Sequence, residues 1–422
     1  MSQIIVSGNK PLQGEVEISG SINSALKLII SSLYTTEDIF LTNIPNVDSI
    51  QAELSIIKEL GGSYEWLSKN FLKINNSKLN SSKIPISLGK NLITSYLFAG
   101  PLLYRFGEAE IPIPDDGVDS ILKFINSWSM LNIEVNFDKE FIYLRSDNAK
   151  AGRIELDRPS QMATTNAILS SVFLSGTTTI INSSEDVELD DLIKFLNEMG
   201  ANVSKESKKV ITITGKDHFK AANFSCSSEV SEAVYFGVLS LVTNGNIHIK
   251  NIEKKNLSIF VSILNRIGGN YEFVSEDSIR VWRKSEKLEA FDLDLTNYPS
   301  FTSNYLPYLI FLALKCEGTS KFIAESYKNK FEFIYILNRF NAKIKIYDTG
   351  KDYEPCEIYV NGVTDLKMDK FEIEKTANSP VILISALTTE GSIEINNSEK
   401  MESVFENLST KVVELGGDLK HD

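Results

Sequence analysis

Acidic side chains form one dense group in the sequence, at Glu185, Asp186, Glu188, Asp190 and Asp191. Carboxylate oxygens are the ligands that Mg²⁺ and Ca²⁺ prefer, so a metal site is one interpretation of this group. The same residues precede an apolar pattern of helical period, and negative charge is favoured at the positive end of a helix dipole. We therefore interpret the group as the start of a helix and predict no metal site.

Histidine and cysteine, which serve many catalytic and metal sites, are scarce. The chain has three of each, without the spacing of a zinc site or a disulfide framework: His218, His248, His421, Cys226, Cys316 and Cys356. With so few histidines, the sequence does not indicate a catalytic triad centred on an imidazole. We also predict no cofactor. The sparse, odd cysteine count and an N-terminus without signal-peptide features predict a cytoplasmic protein.

Composition and net charge limit the kinds of molecule that this protein is expected to bind. The 422 residues are 42% hydrophobic and 23% charged, as in ordinary globular proteins, and the net charge is −13. This sign is wrong for a protein that binds nucleic acid by neutralising phosphates. The sequence also lacks an apolar run near the ~20 residues needed to span a bilayer. We predict a small-molecule ligand as the partner, with neither nucleic acid nor membrane.

A helix, a tight turn and a β-alternating strand recur along the chain. The second turn residue recurs every 68 to 75 residues, at Gly62, Asn132, Ala201, Gly269, Ala342 and Gly417. A second marker, in a polar connection after a strand, falls at Asn43, Asn182, Asn251 and Asn396. Six units of about 70 residues predict two α/β domains of three units each, since three units already fill a normal domain.

The chain crosses between these two predicted domains near Gly20 and Cys226. One domain is predicted at 20–226, and the other is built from 1–19 plus 227–422, with a double-crossover hinge. A cleft between two such domains is the usual place for a small ligand. We therefore expect the functional site in that cleft.

The opening stretch, KPLQGEVEISGSINSALKLIISSLYTTEDIFLTNIPNVDSIQAELSIIKELGG, resembles the UDP-N-acetylglucosamine 1-carboxyvinyltransferases and, more distantly, the 3-phosphoshikimate enzymes. The resemblance implies two inverse α/β barrels, each of three βαβαββ repeats, with a ligand cleft between them. It implies transfer of an enolpyruvyl group from phosphoenolpyruvate to a hydroxyl. That reaction needs a general acid, a general base, and cations that bind phosphate and carboxylate.

The resemblance also implies which residues to examine in the first half of the chain. Ile22 occupies the place of a family lysine, before Asn23, and Ile93 occupies that of an arginine. Lys27 stands where the phosphoshikimate enzymes have an arginine, so it is a candidate for binding a carboxylate. The loop that carries the family's acid cysteine reduces to PDDG at 114–117, which leaves Asp115 or Asp116 as candidate acids or as solvated residues of a turn.

In the third repeat, Arg158 replaces a nucleotide-binding lysine of the family, and Ser160 and Gln161 resemble its Ser-x-Gln region. These three are candidate ligand contacts, although Ser160 is equally suited to start a helix. In the second half, Asn304 occupies the place of the acidic base, and an amide cannot take a proton. Tyr327 is a candidate wall of the acceptor site or, equally, an aromatic residue of the core. Lys330 replaces a clamp arginine, and Lys375 remains where an acid and an arginine are expected, while Ser403 replaces another arginine.

Each charge-assisted contact contributes ~1.5–3 kcal/mol, so losing about four weakens phosphoenolpyruvate binding by ~6–12 kcal/mol. This corresponds to roughly 10⁴- to 10⁹-fold in affinity. Three functions stay open. The chain is a diverged transferase that binds a hydroxylated, nucleotide-linked or phosphorylated molecule with altered chemistry; or a catalytically silent homologue that binds a ligand or a protein partner; or a true carboxyvinyltransferase with Asp115 or Asp116 as acid.

Overall fold

A computed structural model describes residues 2–114, 118–283, 287–296, 303–326, 330–352, 354–367 and 370–421. The chain is a mixed α/β protein, and in these ranges it forms helices α1 to α13: Ile22–Ser31, Asp48–Glu59, Ile86–Gly89, Ala99–Phe106, Val118–Met130, Gln161–Ser171, Val187–Glu198, Val230–Val242, Ser258–Ile267, Leu306–Ala313, Glu332–Arg339, Ser379–Leu387 and Leu408–Glu414.

Short strands alternate with these helices. In chain order β1 to β23 are Gln3–Ser7, Gln13–Glu17, Asp38–Thr42, Ser63–Ser68, Phe71–Asn75, Glu108–Pro112, Glu134–Phe137, Phe141–Arg145, Arg153–Glu155, Thr177–Ile181, Asn202–Ser207, Val210–Thr214, Asn223–Ser225, Asn246–Lys250, Asn270–Ser275, Ser278–Trp282, Leu293–Asp294, Gly318–Glu325, Ile344–Tyr347, Pro355–Gly362, Lys370–Glu372, Ser392–Asn396 and Asp418–His421.

The chain divides into two compact units, each with its own hydrophobic core. We call Gly20–Ser227 the central unit, and Met1–Ser19 with Ser228–Asp422 the split unit. The N-terminal strands β1 and β2 belong to the split unit, where β1 pairs with β22 and β23 and β2 pairs with β14. Backbone hydrogen bonds between strands therefore hold the N-terminal segment in the split unit.

Within the described ranges, each unit contains three sheets. The sheets of the central unit run β13-β3-β5-β4, β6-β8-β7 and β11-β12-β10-β9, and those of the split unit run β15-β16-β14-β2, β17-β18-β20-β19 and β21-β22-β1-β23. Five of these described sheets combine antiparallel strand pairs with one parallel pair. An example of the parallel pair is β9 with β10, in which Ile154 lies opposite Ile180. The strands bury alternate residues, as in β12, where Ile211 and Ile213 are buried.

Asparagines end these parallel pairs. Asn43, Asn182 and Asn251 all have φ near +60°, the left-handed region that Asn tolerates better than most residues. Their side-chain amides donate to the backbone carbonyls of Cys226, Leu156 and Ile18, at 2.8, 2.9 and 2.7 Å, just beyond the parallel partner strand.

The fourth asparagine of this set was predicted one residue too early. Asn397, not Asn396, has the positive φ, and its amide donates to the carbonyl of Ile373 at 3.3 Å. Asn396 is the last residue of β22 and pairs there with Glu372. Two asparagines in succession made the sequence pattern ambiguous, and the strand register decides between them.

Six helices are buried along most of their length, and we call them the core helices: α1, α4 and α6 in the central unit, and α8, α10 and α12 in the split unit. Three of them continue from short 3₁₀ turns, Ile93–Phe98, Ser303–Tyr305 and Thr376–Asn378. The chain enters α1, α6, α8 and α12 a few residues after the carbonyls that the four asparagines hold. The asparagines therefore fix where these core helices begin.

Candidate functional site

The predicted ligand residues of the central unit lie on, or just before, two helices, α1 and α6. Ser21 caps α1 by accepting a hydrogen bond from the amide of Ser24, and Ser160 caps α6 by accepting from Ala163 at 3.4 Å. Asn23 lies in the first turn of α1, half-buried. Ser160 therefore has the capping role, and its place beside Gln161 keeps both at the same helix end.

Gln161, the first residue of α6, is tied to α7. Its side-chain amide donates to the Glu188 carboxylate at 3.2 Å. Glu188 and Asp190 lie in the first turn of α7 and Asp186 is its N-cap residue, so the acidic group does begin a helix, as the sequence predicted. Among the described residues no group of three or more histidine, cysteine or acidic side chains has the arrangement of a metal site.

Lys27 is the buried charge of this region. Its side chain lies in the middle of α1 with the residue only 3% exposed, and its amine has no hydrogen-bond partner among the described residues. Burial lowers the pKa of the Lys27 amine, while the carboxylates of Glu188, Asp186 and Asp191 act in the opposite direction. Glu188 therefore has two roles: it accepts a hydrogen bond from Gln161 of α6, and it opposes the fall that burial causes in the pKa of Lys27 of α1.

Arg158 and Ser160 line a pocket of about 280 Å³ beside the start of α6. Lys123, Asn126 and Met130 of α5 form another wall, with the β9 segment completing it. This volume is near the lower limit of small-molecule sites. The pocket mixes two cations with the acids Glu155 and Asp157, so it suits a polar ligand with hydrogen-bonding groups better than an apolar one.

The split unit has a smaller pocket of about 180 Å³ at the beginning of α12 and beside α11. Lys375 lies there, with its ammonium 3.1 Å from Glu332, and Asn378 donates to the other oxygen of Glu332 at 3.2 Å. Lys330 is outside this pocket's lining. Its ammonium donates to the carbonyl of Glu325 at 2.6 Å, and burial lowers its pKa.

Asn304 lies in the 3₁₀ turn before α10 and is exposed. The remaining predicted residues, Asp115, Asp116 and Tyr327, lie outside the described residues. No described helix is long and apolar enough to be a membrane span.

The residues that begin the core helices carry no charge. Where a 3₁₀ turn precedes the helix, the first residue of that turn is taken as the start. In chain order these residues are Ile22, Ile93, Gln161, Val230, Ser303 and Thr376. Ile93 is 44% exposed, although isoleucine gains most from burial. An arginine or lysine side chain at this position would be hydrated.

One acid of the central unit was missed by the sequence analysis: Glu53 of α2, which is fully buried. Asp191 of α7, which the sequence analysis placed in the acidic group, accepts hydrogen bonds from the amide and hydroxyl of Ser227 at 2.9 and 2.7 Å. For Glu53 a signal existed, because it falls on the apolar stripe formed by Ile50, Leu54 and Ile57. A carboxyl at a core-facing position is unusual enough to mark a functional or paired group.

Comparison with known proteins gives the family. The EPSP synthase (3-phosphoshikimate 1-carboxyvinyltransferase) family model matches residues 6–411. A UDP-N-acetylglucosamine 1-carboxyvinyltransferase of Caldanaerobacter subterraneus subsp. tengcongensis is 29% identical over 99% of each chain. One of Carboxydothermus hydrogenoformans is 29% identical over 100% of this chain and 98% of its own.

Solved structures agree on the fold. The enolpyruvyl transferase NikO from Streptomyces tendae superposes with a TM-score of 0.88 at 16% identity, covering 100% of this chain and 99% of NikO. EPSP synthase from Acinetobacter baumannii gives a TM-score of 0.79 at 14% identity, with both chains fully covered. The chain therefore belongs to the EPSP synthase (3-phosphoshikimate 1-carboxyvinyltransferase) family and has the fold of an enolpyruvyl transferase.

Proposed function

We propose that this family member binds a hydroxylated, nucleotide-linked or phosphorylated small molecule, and that its chemistry differs from ordinary phosphoenolpyruvate transfer. The observation that carries the proposal is Ile93, an uncharged side chain that is exposed at the start of the 3₁₀ turn before α4, where the family resemblance implies an arginine. Phosphoenolpyruvate carries up to three negative charges on one phosphate and one carboxylate of a small molecule. Isoleucine can neither neutralise nor hydrogen-bond them.

The acceptor side of the site is better equipped. Arg158 and Ser160 line the 280 Å³ pocket, and Gln161 at the same helix end presents an amide next to Glu188. Asn23 lies in the first turn of α1, and Lys27 lies four residues further along the same helix, where burial lowers the pKa of its amine. Amide and hydroxyl groups suit a sugar or ribose hydroxyl, and a guanidinium suits a phosphate or a carboxylate. These groups support retention of a polar acceptor.

In the split unit, Asn304 supports the same conclusion about chemistry. An exposed amide at the position of the family's acidic base can orient a hydroxyl but cannot accept its proton. Lys330 and Lys375 keep positive charge in this unit, but Lys375 is already paired with Glu332. Enolpyruvyl transfer with these residues would lack a base at its usual position.

The test is to mix the protein with phosphoenolpyruvate and UDP-N-acetylglucosamine, or shikimate 3-phosphate, and to measure released phosphate and thermal stability. A ligand at 100 times its Kd stabilises the folded state by about 2.7 kcal/mol. We expect UDP-N-acetylglucosamine to raise the melting temperature without phosphate release. Phosphate release at a normal turnover would instead establish a true carboxyvinyltransferase, and stabilisation by neither acceptor would overturn the proposed ligand class.

A matched pair of variants locates the binding. Arg158→Gln should reduce the stabilisation by the acceptor, since Arg158 lines the pocket. Arg145→Gln should leave it unchanged, because Arg145 lies on β8 outside the pocket lining, where it is exposed and 3.7 Å from Glu108. Equal effects of the two substitutions would show that the ligand binds elsewhere.

A further inference from the structure

The 180 Å³ pocket of the split unit has apolar walls, and the proposed function assigns it no ligand. These walls are Ile336 of α11, Phe371 of β21 and Ile382 of α12, of which Phe371 and Ile382 are buried. Tyr335 of α11 also lines the pocket and is largely exposed. The volume is below the roughly 300 Å³ at which small-molecule sites usually begin. The pocket therefore suits a compact ligand that carries an apolar group.

This pocket is the counterpart of the pocket beside α6. The correspondence is set by two asparagines with positive φ, Asn132 after α5 and Asn341 after α11. On both helices the residues that line the pocket lie two, five, six and nine positions before the asparagine. They are Met130, Ser127, Asn126 and Lys123 on α5, and Arg339, Ile336, Tyr335 and Glu332 on α11. The two helices therefore present the same face to their pockets, with different side chains.

The strand side of the two pockets corresponds as well. Asn182 donates to the carbonyl of Leu156, and Asn397 donates to that of Ile373. After each of these carbonyls the chain continues with an acid and then a cation, and both line the pocket. These pairs are Asp157 with Arg158, and Glu374 with Lys375. Because the two pockets occupy equivalent places in the repeats, the differences between their side chains indicate different ligands.

One difference removes a charge from the pocket of the split unit. Where the first pocket has Lys123, the second has Glu332. The Glu332 carboxylate lies 3.1 Å from the Lys375 ammonium, and its other oxygen accepts from Asn378 at 3.2 Å. The charges of Glu332 and Lys375 therefore compensate each other inside the pocket.

Arg339 and Glu374 are the other charged residues of this lining. The Arg339 guanidinium lies over the ring of Phe371, 5.5 Å from its centroid, and makes no hydrogen bond or ion pair with any described residue. The Glu374 carboxylate has no such partner among the described residues either, and both side chains are exposed. A guanidinium that stacks on a ring keeps its N–H groups for a carboxylate. The pocket thus combines an uncompensated cation and an uncompensated acid with apolar walls.

We propose that this pocket binds a free α-amino acid with an apolar side chain: the carboxylate pairs with Arg339, the ammonium pairs with Glu374, and the side chain packs against the apolar walls. A ligand with a single charge would leave either Arg339 or Glu374 uncompensated, and a neutral ligand would leave both. A zwitterion with an apolar group matches all three features. This second ligand is independent of the one proposed for the pocket beside α6.

The first experiment is isothermal titration of the full chain with L-leucine and L-phenylalanine. Isocaproate and isoamylamine are the controls, because they correspond to leucine without its ammonium and without its carboxylate. We expect at least one of the two amino acids to bind, and the leucine fragments to bind about 10- to 100-fold more weakly than leucine, as expected for the loss of one charge-assisted contact. A fragment that binds as tightly as the amino acid would overturn the proposal.

Variants locate the site. Arg339→Gln and Glu374→Gln should each weaken binding of the amino acid about 10- to 100-fold. Their melting temperatures without ligand should stay close to that of the parent, because both side chains are exposed. Arg266→Gln is the matched control, since Arg266 is also an exposed arginine in the last turn of its helix, α9, and lies outside the pocket lining. Arg158→Gln, in the other pocket, should also leave the affinity unchanged.

Four further results would overturn the proposal. They are no binding of either amino acid at millimolar concentration, undiminished binding in Arg339→Gln or Glu374→Gln, an equal loss in Arg266→Gln, and loss of binding in Arg158→Gln. The third would show an effect of net charge, and the last would place the amino acid in the pocket beside α6. Failure of the proposed function is a separate result, since none of these titrations uses UDP-N-acetylglucosamine or phosphoenolpyruvate.

Discussion

Lys411 and Glu232 form a buried ion pair at the chain crossing of the split unit. The Lys411 ammonium lies 2.5 Å from the Glu232 carboxylate and donates to the hydroxyl of Ser19 at 2.6 Å. The second oxygen of Glu232 accepts from the backbone amide of Ser19 at 2.9 Å. Ser19 is the last residue of the split unit before the chain enters the central unit. This pair therefore anchors the point at which the chain leaves the split unit.

Replacing Lys411 by methionine should destabilise the protein strongly. Glu232 is 0% exposed, and removing one partner of a buried pair typically costs about 3–5 kcal/mol, because the other charge stays buried without compensation. The melting temperature is the measurement. Lys10→Met is the control, because the Lys10 pair with Asp418 is exposed and such pairs contribute about 0–1 kcal/mol. Equal effects would contradict a special role for the buried pair.

The same substitution should change how stability depends on pH. Burial raises the pKa of the Glu232 carboxyl above its ordinary value of 4.5, and Lys411 opposes the rise. Without Lys411 the pKa rises further, so above pH 4.5 the folded state binds more protons than the unfolded state. Stability then falls as the pH rises through this range. We expect Lys411→Met to be less destabilising near pH 4.5 than near pH 8, as thermal melts at both values will show; a pH-independent loss would contradict this.

Asn251 provides a test of the asparagine side-chain hydrogen bonds that precede the core helices. Its φ is +59° and its amide donates to the Ile18 carbonyl at 2.7 Å. Asn251→Gly keeps the backbone conformation and loses the hydrogen bond, which should cost about 1 kcal/mol. Asn251→Ala should cost roughly 1–2 kcal/mol more, because alanine disfavours positive φ. Melting temperatures measure both.

The matched control is Asn244→Gly. Asn244 also has positive φ, +54°, but it is exposed and makes no such bridge in the described structure. Its replacement should be neutral or slightly stabilising. A loss as large as that of Asn251→Gly would show that the left-handed conformation, rather than the bridge to Ile18, dominates the effect.

The sequence predicted the fold class, and the predicted site residues stay predictions. The fold class and the acidic start of α7 follow from local patterns of period and capping, which act within a few residues. The choice between Asn396 and Asn397 does not, because it depends on strand register, and register is set by partners far along the chain. The environment of Lys27 is of the same kind, because α2 and α7 supply acids that are distant in sequence. Glu53 lies on the apolar stripe of α2 and was missed, although a carboxyl at a core-facing position is a signal in the sequence itself.

Gly20 marks the first residue of the central unit and should not tolerate alanine. A Cβ at this position would lie 1.7 Å from the carbonyl oxygen of Asn43, which is backbone and cannot move aside cheaply. We expect Gly20→Ala to lower the melting temperature by several degrees, as expected for a loss of more than about 1 kcal/mol. Gly152→Ala is the control, since its Cβ would be 3.6 Å from the nearest atom, the Met130 carbonyl oxygen. Loss of stability in both would contradict the contact as the cause.

Ile93→Arg tests whether missing cations explain the proposed change in chemistry. Ile93 is 44% exposed at the start of the 3₁₀ turn that leads into α4, so an arginine can be accommodated with its guanidinium in solvent. One restored charge-assisted contact contributes about 1.5–3 kcal/mol. Phosphoenolpyruvate should therefore bind about 10- to 100-fold more tightly to Ile93→Arg than to the parent, as isothermal titration would show. Leu67→Arg adds the same charge at a side chain that is 42% exposed on β4, and it should give no gain. An equal gain in both variants would show that the added net charge, and not its position, causes the tighter binding. No gain in either would mean that Ile93 does not face a phosphoenolpyruvate site.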